Sequence, residues 1–116
     1  MQFLLYSTDP KPEAAPPPTP ELMAAMGKLV EDSIKSGVLV TTGGLQGKGT
    51  RVRLSHGKYT VTDGPFIEAK ELMGGLAVIQ VKSLDEAIAW AKRFRDIVGD
   101  GESEIVRIMR PEDFAA

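Results

Sequence analysis

The chain has 116 residues, 42% hydrophobic and 26% charged, with 14 basic against 16 acidic side chains and no cysteine. That length and balance fit one globular domain over residues 1–116, able to bury a core without a disulfide or a metal. The missing cysteines exclude a thiol nucleophile and a cysteine-ligated metal centre. A net charge of -2 lacks the basic excess with which nucleic-acid binders displace counterions.

No apolar run approaches the roughly 20 residues of a membrane span. The N-terminus MQFLLYSTDP carries no basic n-region and does not read as a signal peptide. The expectation is a soluble, cytoplasmic protein with no membrane and no nucleic-acid partner.

Residues 2–7, QFLLYS, are short, apolar and β-prone, and predict a first strand. Six of the eight prolines then fall between Pro10 and Pro20. Proline removes backbone donors and disfavours helix in the residue before it, so 8–20 reads as an extended, exposed loop. Thr19 suits an N-cap, with Pro20 in the first helical position and Glu21 near the positive end of the dipole. Leu22, Met26, Leu29 and Ser33 share one helical face, widened by Met23 and Val30, and Gly37 stops the helix. VLVTT, 38–42, is a strand that Gly43-Gly44 breaks.

RVRLS and KYTVT flank His56-Gly57, a two-residue turn. Register then pairs Leu54 with Tyr59 and Val52 with Val61 on one face, and sets Arg51 and Arg53 opposite Thr62 and Thr60 on the other. GLAVIQV, 75–81, is nearly all apolar and predicts a central strand covered on both faces. Ser83 and Glu86 form the S-x-x-E capping box of a second helix. Leu84, Ala87, Ile88, Ala91 and Phe94 make its buried stripe, Trp90 lies at the edge and Gly99 ends it. EIVRIMRP, 104–111, closes the chain as a strand that Pro111 terminates.

This order gives an α+β, ferredoxin-like βαββαβ fold with an inserted β-hairpin, its antiparallel sheet carrying two helices on one face. Two helices cannot cover both faces of strands as apolar as VLV and LAVI. Packing sheet against sheet in a homodimer removes the exposed face.

The stretch VTDGPFIEAKELMGGL, 61–76, holds the candidate chemistry. Asp63-Gly64 is turn chemistry and Pro65 stiffens it, leaving Phe66 as a hydrophobic anchor. On a helix Glu68 and Glu71 share a face and Lys70 points away. In an extended segment Phe66, Glu68 and Lys70 share a side.

Crowded in a cleft, Asp63, Glu68 and Glu71 would supply a general acid or base, with Lys70, Arg51 and Phe66 holding a small polar or anionic substrate. On a solvated surface the same acids would cap turns and pair with Lys70 or the hairpin arginines. No dense ladder of Asp and Asn ligands is present, and His56 is the single histidine, so neither a metal nor a cofactor is expected. Ser7, Ser33, Ser55 and Ser103 sit in no nucleophile elbow. The glycine-rich run 43–49 lacks the phosphate-loop spacing and precedes a strand where a helix is required.

D-G-P-F, E-x-K-E and G-G, followed by S-x-D-E-A within VTDGPFIEAKELMGGLAVIQVKSLDEAIAWA, resemble the DGPF-domain family, a branch of the YCII-related proteins. SGVLVTTGGLQGKGTRVRL and EIVRIMRP extend the likeness over nearly all the chain after the proline loop. The resemblance implies a dimeric α/β barrel and a bacterial cytoplasmic setting, often beside extracytoplasmic-function sigma factors. In the wider group an enzymatic role rests on a His–Asp pair near the first helix. ELMAAMGKLVEDSIKSG has no histidine, so any activity here falls to the acids and lysine of 63–71. The alternative is a non-catalytic regulatory or protein-interaction module.

Overall fold

The computed structural model describes residues 1–7, 19–44, 49–63 and 75–114. In chain order the elements are β1 (Gln2–Ser7), α1 (Pro20–Lys35), β2 (Leu39–Gly44), β3 (Thr50–Ser55), β4 (Lys58–Asp63), β5 (Gly75–Gln80), α2 (Leu84–Val98), β6 (Ser103–Ile108) and a short α3 (Pro111–Phe114). Four strands form one antiparallel sheet in the order β2-β5-β1-β6, and β3-β4 is a separate two-stranded ribbon. This is the ferredoxin-like arrangement with an inserted hairpin. The proline-rich segment 8–18 and positions 45–48 lie outside the described residues.

Alternation sorts the sheet into two faces. Phe3, Leu5, Leu39, Ala77 and Ile79 point toward the helices and pack with Leu29, Ala87, Trp90 and Ala91 into one core. The opposite face carries the row Val78–Leu4–Val106, in register across β5, β1 and β6. Leu4 and Val78 are half-buried there and Val106 is exposed. The central position expected for β5 is met, but its burial alternates: within one chain only the helix face is closed.

The first helix starts as its sequence dictates. Thr19 accepts the Leu22 N–H at 3.1 Å, Pro20 opens the first turn, and Gly37 ends it at φ 78°. Only Leu29 and Ser33 of its predicted face are fully buried, and Met23 is 62% exposed.

Two expectations need correction. Gly43 and Gly44 do not break β2; they pair with Leu76 and Gly75, because the ladder to β5 outweighs the intrinsic weakness of glycine in a strand. Trp90 is not at the edge of α2: it is 8% exposed in the core, whereas Leu84 is 51% exposed and Ile88 is exposed as well. The larger ring turns inward because its N–H finds a buried acceptor, described below.

Ser83 caps α2 by accepting the Glu86 N–H at 3.2 Å, and Glu86 Oε2 reaches back one residue further than a standard capping box, to the Lys82 N–H at 2.7 Å. The closing strand stops at Ile108, short of the Pro111 expected to end it, and Pro111 instead begins α3, where its missing N–H costs nothing in the first turn. Asp113 holds that turn by accepting from the Arg110 backbone N–H at 2.9 Å and from Arg107 at 3.0 Å.

The hairpin has the register expected of it: Arg51↔Thr62, Val52↔Val61, Arg53↔Thr60 and Leu54↔Tyr59. His56 (φ 51°) and Gly57 (φ 78°) both adopt the left-handed conformation of the turn. Its apolar face is uncovered among the described residues, with Val52, Leu54, Tyr59 and Val61 between 60% and 73% exposed.

Candidate binding cleft at the sheet end

Pairing brings four strand ends to one end of the sheet. Ser7 closes β1, Gly43 and Gly44 close β2, and Gly75 and Ser103 open β5 and β6. Between this end and α2 lies a cleft with about 80 Å³ of internal space, walled by Leu5, Leu76, Ala77, Trp90 and Phe94, with Ser7, Thr42 and Ser103 at its polar positions. It is the union of an apolar wall and a few placed hydroxyls, the usual composition of a small-molecule site.

The apolar wall is tied to both helices. Trp90 and Phe94, four residues apart on α2, stack with ring planes 3° from parallel and centroids 6.4 Å apart. The indole N–H donates to Ser33 Oγ at 2.9 Å, which fixes the ring from α1. The Thr42 hydroxyl donates to the Leu76 carbonyl at 2.9 Å and ties β2 to β5 at the rim.

The polar side is organised by Arg95. Ser7 and Ser103 are direct cross-strand partners. Arg95 Nε donates to Ser103 Oγ and Nη2 to Ser7 Oγ, each at 3.1 Å. Its guanidinium carbon lies 5.0 Å from the centre of the Phe94 ring. A half-buried cation is thereby seated behind two hydroxyls that face the cleft.

Of the residues singled out from sequence, Phe66, Glu68, Lys70 and Glu71 lie outside the described residues. Asp63 ends β4 and accepts from the Thr50 hydroxyl at 3.0 Å. It shares the face of Val52 and Val61, and Arg51 occupies the other face of the same hairpin. The ribbon therefore holds these two charges apart. Among the described residues no group of three or more His, Asp or Glu side chains is placed to hold a metal ion.

Ser7, Ser103, Trp90, Phe94 and Arg95 were not legible as a group in the sequence. Ser7 and Ser103 are 96 positions apart in the numbering, and only the β1–β6 pairing makes them neighbours. Trp90, Phe94 and Arg95 read locally as ordinary helix residues.

Residues 1–112 match the YCII-related domain. The chain belongs to the YCII-related family. A search of curated proteins finds no match to it. Among solved structures, this YCII-related chain is similar to 5-chloro-2-hydroxyhydroquinone dehydrochlorinase (TftG) from Burkholderia phenoliruptrix AC1100, in complex with 2,5-dihydroxybenzoquinone. The identity is 14% with 97% of each chain covered, and the TM-score is 0.46. A likeness of that depth says nothing about the chemistry of the YCII-related chain.

Proposed function

We propose that the protein binds a small organic molecule in the cleft between the sheet end and α2, in a cytoplasmic setting. The observation that supports this reading is the pairing of a braced aromatic wall, Trp90–Phe94, with hydroxyls gathered by a partly buried arginine. The sequence candidates belong to the same proposal. Phe66, Glu68, Lys70 and Glu71 precede the cleft-lining Gly75 in the chain, and Asp63 ends the strand before them. These acids are the groups we assign to any acid–base step on the bound molecule.

The test is a thermal-shift screen of small anions and ring compounds read together with tryptophan fluorescence. Trp90 is the only tryptophan, so a cleft ligand must both raise the midpoint and alter that single emission. A ligand that raises the midpoint and leaves Trp90 untouched puts the binding site elsewhere.

A second reading, docking to another protein, is favoured by one observation. The hairpin exposes Val52, Leu54, Tyr59 and Val61 side by side, and an isolated two-stranded ribbon is marginal in water. For the assembly we propose a homodimer closed through the face that carries Leu4, Val78 and Val106.

A further inference from the structure

We infer that the cleft selects small organic acids: molecules with an apolar body and a carboxylate, bound with the carboxylate at the Ser7–Ser103 end. This rests on the reading of the cleft as a binding site and adds its ligand class. Ser7 Oγ and Ser103 Oγ each accept an N–H from Arg95, so each hydroxyl keeps its own proton to donate. Among the described residues neither hydroxyl spends that proton on a protein acceptor. Thr42 differs, because its proton goes to the Leu76 carbonyl. The polar end of the cleft therefore presents donors.

Spacing and charge narrow the class further. A guanidinium fork matches two carboxylate oxygens; here Nε and Nη2 hold two hydroxyl oxygens. The hydroxyls pass that geometry one step outward as a pair of O–H donors on adjacent strands. Each is polarised by the cation behind it, and hydrogen bonds in such a chain strengthen one another. Two polarised donors side by side favour an acceptor with two oxygens and negative charge. The apolar lining of the cleft, Leu5, Leu76, Ala77, Trp90 and Phe94, takes an apolar body.

The experiment titrates the full chain with benzoate and, separately, with benzamidinium, which has the same ring and size but a donor end in place of the acceptor. Trp90 emission is the readout, and far-UV circular dichroism checks folding. Benzoate is expected to bind, benzamidinium to bind at least about tenfold more weakly, and a Ser7→Ala/Ser103→Ala variant to lose at least about tenfold of the benzoate affinity, the scale of losing hydrogen bonds to a charged acceptor. Equal binding of the two probes overturns the acid selectivity and leaves the cleft as a binding site. So does benzoate affinity that survives in the folded double variant. If neither probe perturbs Trp90, the acid selectivity falls, and the thermal-shift screen then decides whether the cleft binds any ligand. The two-probe comparison needs no variant, so it stands even if the double substitution unfolds the chain.

Discussion

Trp90 donates its indole N–H to Ser33 Oγ at 2.9 Å, joining α2 to α1 across 57 positions of chain, and both side chains are buried. This bond explains why the serine on the otherwise apolar stripe of α1 is tolerated. It also explains why the largest ring of α2 faces the core.

Ser33→Ala removes the acceptor and leaves a buried N–H unsatisfied, which costs about 1–3 kcal/mol. Thermal or urea unfolding is expected to show that loss. Trp90→Phe in the Ser33→Ala background should recover part of it, because the orphaned donor is gone. A Ser33→Ala protein as stable as the parent would mean that the N–H finds another partner, and the account of Trp90 orientation would be wrong.

Ser83→Ala removes the acceptor for the Glu86 N–H at the start of α2. Cap losses run to about 0.5–2 kcal/mol. Because α2 carries Trp90, Phe94 and Arg95, fraying its first turn should lower stability with little change in the affinity of a cleft ligand bound about two to three turns away. Parallel unfolding and fluorescence titrations separate the two effects.

The hairpin turn gives a local test. Gly57 sits at φ 78° with open space where a Cβ would stand, so Gly57→Ala meets no clash and pays only for the left-handed backbone, about 1 kcal/mol. His56→Asn, at φ 51°, should hold or slightly raise stability, since Asn tolerates that region better. Amide exchange at β3 and β4 is the measurement. Faster exchange confined to those strands in Gly57→Ala is expected, with the four-stranded sheet unchanged.

Much of this architecture was written locally, and what was not local stayed hidden. Thr19, Ser83 and Gly99 mark helix ends by short-range chemistry, and they act there. The hairpin register followed from alternation about His56-Gly57 because a two-residue turn leaves no freedom to slip. Long-range pairing was less readable. Gly43-Gly44 looked like a break until β5 was placed beside it. The cleft was least readable, since its polar end needs β1 next to β6 before Ser7 meets Ser103 and α2 above both before Arg95 reaches them. The motif that drew the eye, 63–71, is dense in charge over a short span. The cleft residues are spread from Leu5 to Ser103.

The face opposite the helices bears on assembly. Val78, Leu4 and Val106 stand in one row across three neighbouring strands. Val106 is 45% exposed in the single chain. A charge there costs an isolated chain little, because the side chain already meets water. In a dimer closed through this face the same charge would be buried without a partner, at a cost of several kcal/mol. Sedimentation should therefore find the parent as a dimer and Val106→Glu as a folded monomer. Leu54→Lys on the hairpin, 60% exposed, separates the two apolar surfaces: if it leaves the dimer intact, the ribbon serves a different partner from the sheet. A parent that sediments as a monomer at tens of micromolar would sink the sheet-to-sheet assembly and leave the open face to be explained by another ligand.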